Sequence, residues 1–211
     1  MAARPLRIVV LVIVAFATGL LLARLLAPTP VVPPETERAT VFPAPRVLPP
    51  LELVDQDGQP LTTGFFRGHW TLVFFGFTHC PDICPTTLAT LAQVARLLED
   101  LPAEAQPRVL LVSVDPERDT PERLAPYVRF FNPGFLGATG SLEATAAVAS
   151  AFGVPYAKVD LPDGGYTLDH GSGVFVVGPS GGLQAYLSAP HEATTIANDY
   201  RRIVAWTEAR R

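Results

Sequence analysis

Apolar positions along this chain fall into runs of distinct period, and each period predicts a different element. Trp70–Phe77 is apolar throughout except for Thr71, and Val109–Val114 repeats that pattern. Runs of this kind suit strands buried on both faces of a sheet. Leu88, Leu91, Val94, Ala95 and Leu98 recur at helical spacing behind Pro85, which fits the first position of a helix ending near Leu98. Asp119-Thr120-Pro121-Glu122 opens a second helix running to about Phe130, and Ser141 precedes a third over Leu142–Phe152. Short strands are predicted at Leu51–Val54 and Phe135–Ala138, and two more flank the Asp163-Gly164-Gly165 turn. Gly173–Val177 and Leu183–Leu187 pair around Pro179–Gly182, and a last helix spans His191–Trp206. Strands that alternate with helices, then a hairpin and a helix, predict an α/β fold with a central mixed sheet between helices. Val154–His170 stands out as an extra excursion.

Two further stretches precede the domain. Ile8–Ala23 is a sixteen-residue run without a charge, preceded by Arg4 and Arg7 and followed by Arg24. Sixteen helical residues span about 24 Å, short of a hydrocarbon core of roughly 30 Å. Arg24 can snorkel, so Leu25–Ala27 complete the span. Residues 1–27 therefore read as an uncleaved membrane anchor, with a removed signal peptide as the alternative, since no small-x-small cleavage site precedes Ala27. The arginine pair keeps the N-terminus in the cytoplasm. That predicts a single pass through the inner membrane, with the domain on the periplasmic side. Residues 28–50 hold eight of the 22 prolines and read as a semi-rigid tether. The domain is then residues 51–211.

Charge excludes one class of partner. From Pro28 onward there are 13 basic against 20 acidic residues, a formal charge of −7, and a single lysine, Lys158. No basic stripe exists to neutralise phosphates, so nucleic acid is not expected.

The chemistry concentrates at Cys80 and Cys84, the only cysteines, where the first central strand turns into the Pro85 helix. A thiol pair there makes the sheet thioredoxin-like. The loop that the two would close is too short to add much stability, so the pair reads as a site and not as a structural staple. Spacing of four permits a disulfide or two sulfurs on one metal. Because Pro81 and Pro85 cannot share one regular helix, Cys80–Ile83 is expected to be an irregular turn. Cys84 then sits near the helix start, where the N-terminal dipole should lower its thiol pKa. His170, just ahead of the Val174–Val177 strand, could face both sulfurs. Two thiolates and an imidazole would suit Cu(I), and Asp169 could orient the ring. A capping or turn role for His170 is the competing reading. His79 should point away from its neighbour Cys80, while His69 and His191 read as solvated. Asp82 is a turn former or a carboxylate tuning the site. The acidic run Asp115–Glu122 reads as loop geometry and capping, and Phe74–Phe77 as core.

Three segments carry a resemblance. Phe77-Thr78-His79-Cys80-Pro81-Asp82-Ile83-Cys84-Pro85-Thr86, then Ser113-Val114-Asp115-Pro116-Glu117-Arg118-Asp119-Thr120-Pro121, then Asp169-His170 resemble the signatures of the SCO/SenC proteins. Those are membrane-anchored, thioredoxin-like copper-binding proteins of cytochrome c oxidase assembly, and the likeness runs from about Pro50 to Trp206. It implies a copper site on Cys80, Cys84 and His170 that takes one ion per domain, as Cu(I) or alternatively Cu(II). Asp169 and Asp82 would lie in the surrounding shell. It also implies a metallochaperone whose acceptor is the binuclear copper site of oxidase subunit II, loaded by a copper donor chaperone or kept reduced by a thiol reductant. This chain departs from the family pattern after Asp-His, where Gly171 precedes Ser172. A thiol-disulfide oxidoreductase that reduces acceptor cysteines remains the enzymatic alternative, with Cys80 and Cys84 as its redox pair. A thiol peroxidase fits worst, because neither cysteine lies in a peroxidatic motif.

Overall fold

Continuous apolar runs end up at the middle of the sheet. The computed structural model describes residues 3–26, 31–162 and 164–210. The expected Ala27–Pro28 boundary and Asp163 of the predicted turn lie outside the described residues. The chain divides into one unit up to Val32 and another from Pro33 onward.

In the first unit, α1 (Ala3–Leu26) is one unbroken helix of 24 residues. Among the described residues no helix is long and apolar enough to cross a membrane.

The second unit is built on an eight-stranded sheet. Its strands are β1 (Ala39–Arg46), β2 (Leu53–Asp55), β3 (Pro60–Leu61), β4 (Thr71–Gly76), β5 (Arg108–Ser113), β6 (Leu136–Thr139), β9 (Val174–Val177) and β10 (Leu183–Leu187), in the order β1-β10-β9-β4-β5-β6-β2-β3. A separate two-stranded sheet pairs β7 (Tyr156–Asp160) with β8 (Tyr166–His170). Strand β4 runs parallel to β5, and β5 to β6, while β9 is antiparallel to β4. Every residue of β4 and β9 is buried, as strands covered on both faces require.

Helices α2 (Ile83–Leu97), α3 (Pro121–Phe131), α4 (Leu142–Phe152) and α5 (Ala193–Glu208) supply the cover. Strand side chains alternate, so Phe74 and Phe75 face opposite ways. Phe75 packs on Phe152 of α4 at 5.2 Å between ring centroids and on Phe175 at 5.8 Å. The Phe74 side receives α2, which packs against α5. Trp70 and Tyr200 lock the α5 end of that layer edge to face at 5.9 Å.

The tether does not reach residue 50. Strand β1 occupies Ala39–Arg46 and pairs with β10. Proline composition concealed it: Pro43 and Pro45 lack an N–H, which only an edge strand tolerates, and the register shifts between Val41 and Arg46 where they sit. The buried Asp199 carboxylate holds the strand's entry, accepting the backbone N–H groups of Glu37, Arg38 and Ala39 at 2.8–2.9 Å.

Candidate metal centre

Strand β4 ends at Gly76, and the chain turns through Phe77–Asp82 before α2 begins at Ile83. The helix starts two residues earlier than Pro85 suggested. Pro85 becomes its third residue, still within the first turn, where no intrahelical N–H donor is needed. Pro81 stays outside the helix, so the irregular turn is kept but ends at Asp82, one residue short of the expected Ile83. Cys84 is thereby fixed on the inner side of the first helical turn and is fully buried, whereas Cys80 in the turn is partly exposed.

Gly76 lets the sulfur in. A Cβ at that position would lie 2.9 Å from Cys84 Sγ, 3.0 Å from the Phe74 ring and 3.2 Å from Leu111. A glycine inside an otherwise apolar strand is the sequence sign of such a close approach, and it was missed.

The third arm is β8. His170 is its last residue, and its Nε2 lies 3.5 Å from Cys84 Sγ. Its Nδ1 is 3.0 Å from the Gly171 carbonyl, which can only accept, so Nδ1 carries the hydrogen. Nε2 is left with its lone pair on the sulfur side. The Cys84 backbone N–H donates to Cys80 Sγ at 3.3 Å. Both sulfurs and one imidazole nitrogen lie within 4.8 Å of one another. Phe74 and Phe77 stand edge-on to the imidazole, with centroids at 6.2 and 5.8 Å, so these core rings also wall the site.

Burial governs the protonation of the group. It lowers the His170 pKa, outweighing the Gly171 carbonyl and Asp169, and so favours the neutral ring that a metal ligand must be. Burial also pushes the Cys84 thiol far up, helped by its hydrogen bond to Cys80. The expected lowering by the helix N-terminus is overturned. Asp82 at the cap makes no side-chain capping bond, and desolvation of a sulfur under the sheet exceeds the dipole's pull. Burial therefore favours the neutral thiol at Cys84.

The neighbours sort differently from expectation. Asp169 is exposed at the adjacent strand position, and the Gly171 carbonyl orients the ring in its place. Asp82 is exposed and its carboxylate accepts the Thr86 hydroxyl at 3.4 Å. His79 is exposed, contacting Thr78 and Arg123. It also gathers near Asp115 and Asp119. Their carboxylates are already taken, however: Asp119 by Thr78 and Ser113, and Asp115 by Arg118 and Tyr166. Exposed His69 accepts from Arg108 at 2.8 Å. His191 is not solvated. Its Nε2 donates to the Ser172 carbonyl at 2.6 Å, bracing the loop just after His170. Nothing in its local sequence announces a partner 19 residues back.

A thioredoxin-like domain whose first central strand delivers two thiols to an imidazole from an added hairpin defines a narrow class. The chain belongs to the SCO1/SenC family, whose pattern matches residues 41–205. The bovine mitochondrial protein SCO2 homolog is 42% identical over 154 residues, covering 72% of this chain and 58% of that protein, so the match spans just over half of its length. A crystal structure of Arabidopsis thaliana ScoI with copper bound superposes with a TM-score of 0.70 at 31% identity, covering 77% of this chain and 98% of that one. BsSco, a member of the Sco family of cytochrome c oxidase assembly proteins in which a disulfide switch was identified, aligns at 27% identity with a TM-score of 0.58, covering 76% of this chain and 94% of that one.

Proposed function

We propose that this protein is a metallochaperone that holds one Cu(I) on Cys80 Sγ, Cys84 Sγ and His170 Nε2. It passes the ion to the binuclear copper site of cytochrome c oxidase subunit II during oxidase assembly. One observation carries the reading: three soft-metal donors from two separate elements converge within 4.8 Å in a half-buried pocket. Thiolate and imidazole donors select Cu(I) over hard cations. Copper bound to the plant relative and the assembly role of BsSco support the cargo and the destination.

Exposure gives the transfer a direction. Cys80 is accessible and Cys84 is not, so an incoming acceptor thiolate displaces Cys80 first while Cys84 and His170 retain the ion. Each exchange makes one copper–sulfur bond and breaks one, with no electron transferred. Anaerobic Cu(I) titration should saturate at one ion per chain, with X-ray absorption reporting two sulfurs and one nitrogen. A spectrum with sulfur ligands alone rejects His170.

On this reading the N-terminal segment anchors the domain on the periplasmic side of the inner membrane. The charge-free run Ile8–Ala23, with Arg4 and Arg7 ahead of it and Arg24 behind, is what supports this. Full-length protein should need detergent for release, and recovery in a soluble periplasmic fraction would refute the anchor.

Thiol-disulfide exchange is the second reading, favoured by two free thiols held side by side. Cys80 thiolate would attack an acceptor disulfide, and Cys84 would resolve the mixed disulfide. The acceptor gains two electrons and two protons while this pair becomes oxidised. His170 has no part in that exchange, so acceptor reduction unaffected by His170→Ala, in protein that retains no copper, selects it.

A further inference from the structure

The hairpin that carries His170 is gripped at its opposite end. Strands β7 and β8 belong to a two-stranded sheet apart from the main one, with Tyr156 opposite His170 and Asp160 opposite Tyr166. Alternation puts Tyr166, Leu168 and His170 on one face of β8. Leu168 packs against the core and His170 meets Cys84. Tyr166 meets the loop between β5 and α3. Its hydroxyl donates to Asp115 Oδ1 at 2.8 Å, and its carbonyl accepts Arg118 Nη1 at 3.0 Å. The Arg118 guanidinium lies 3.8 Å from the centre of the Tyr166 ring and is itself held by Asp115 through Nε. Lys158, on the paired strand, lies over the same ring at 3.8 Å and bonds Glu117 at 2.9 Å.

The outer strand of this arm is open to solvent. Ala157–Asp160 is exposed along β7, and a lone two-stranded hairpin is marginal in water. Beyond His170 the chain is pinned again, by Gly171 N–H to the Pro155 carbonyl and by His191 to Ser172.

We infer that Arg118 and Tyr166 form a latch that positions His170, so that opening it weakens the imidazole's hold on the ion and speeds its release once Cys80 has been displaced. This rests on the three-ligand copper reading. It assigns the acidic Asp115–Glu117 run a task besides loop geometry, namely to seat the guanidinium, the ammonium and the phenol that hold the hairpin. Arg118 and Tyr166 are positioning residues, acting through His170 without touching the ion.

Stopped-flow transfer of Cu(I) from the full chain to a bathocuproine chelator tests the latch. Arg118→Gln should accelerate release about tenfold, as loss of a partner that orients a metal-ligating histidine generally does, with one ion still bound at saturation. In the His170→Ala background the same substitution should change the rate by less than about twofold, since the ligand it positions is gone. Tyr166→Leu should behave alike. Equal acceleration in both backgrounds would mean general loosening and overturn the latch, as would no acceleration in either variant. Should the parent chain take up no copper, the ligand reading fails by itself. The latch is then read by amide hydrogen exchange, where Arg118→Gln must raise exchange across 156–170 and not in β4 or α2; an unchanged hairpin refutes it.

Discussion

At the scale of single residues the site depends on a sulfur under a glycine. An alanine methyl at position 76 would need the space now held by Cys84 Sγ, the Phe74 ring and Leu111 at once. None of these is the free end of a flexible chain, so Gly76→Ala should cost about 1–3 kcal/mol by overpacking. It should also displace Sγ and weaken Cu(I) capture, both measurable by denaturant titration and chelator competition. Full affinity in that variant would show that the sulfur has room to move. Two titratable side chains of the site, Cys84 and His170, also shape the pH response of the metal-free domain. Cys84 has a folded pKa raised above its ordinary 9.0, so the stability it confers is present below 9.0 and lost as pH rises beyond it. His170 has a folded pKa lowered below 6.5, so its contribution is present above 6.5 and lost as pH falls. Urea midpoints should form a plateau between these values. His170→Ala should flatten the acid limb and Cys84→Ala the limb opening near 9. Limbs unchanged by both substitutions would assign the pH dependence to other groups.

Elements differ in how openly the sequence displays them, and the reason is physical. Strands β4, β5 and β9 are buried on both faces, so their uninterrupted apolar runs left no alternative. Helix α4 was legible to the residue, because Ser141 caps Ala144 N–H and Gly153 ends it in a left-handed conformation at φ 71°. Strand β1 was not, since an edge strand has one unpaired side and can carry Pro43 and Pro45 like a linker. What fixes it lies far off in sequence: Asp199, whose buried carboxylate takes three consecutive N–H groups around residue 38. Removing that acceptor breaks three backbone hydrogen bonds at once, so Asp199→Ala should destabilise the domain by roughly 2–4 kcal/mol. A chain begun at Leu51 should fare worse, exposing the apolar edge of β10 and aggregating, whereas one begun at Pro33 should fold. Light scattering and thermal melts separate the two, and a soluble, cooperatively melting chain from Leu51 would make β1 dispensable.

For the molecule as a whole, the site joins parts that are otherwise loosely coupled. Cys80 and Cys84 belong to the β4–α2 junction and His170 to an added hairpin 86 residues after Cys84, so only the fold could bring the ring to the sulfurs. The thiol pair was legible from its setting between a buried strand and a proline-started helix. The shell around it was only partly so: Gly76 inside an apolar strand signals a close approach, but the Gly171 carbonyl on His170 and the His191 bond to the Ser172 carbonyl are set by the fold and not by residue type. A metal held by both parts must couple them. On the proposed reading copper binds the folded site and has no assembled equivalent in the unfolded chain, so it should stabilise the domain by about 4 kcal/mol at a thousand times its dissociation constant. Added copper should therefore raise the melting temperature and slow hydrogen exchange across both 80–84 and 156–170, and chelation should reverse both effects. His170→Ala should keep protection of 80–84 and lose it across the hairpin, because two sulfurs from one turn cannot restrain an arm they no longer touch. Hairpin protection that survives that substitution would mean the ion is held from the β4–α2 side alone.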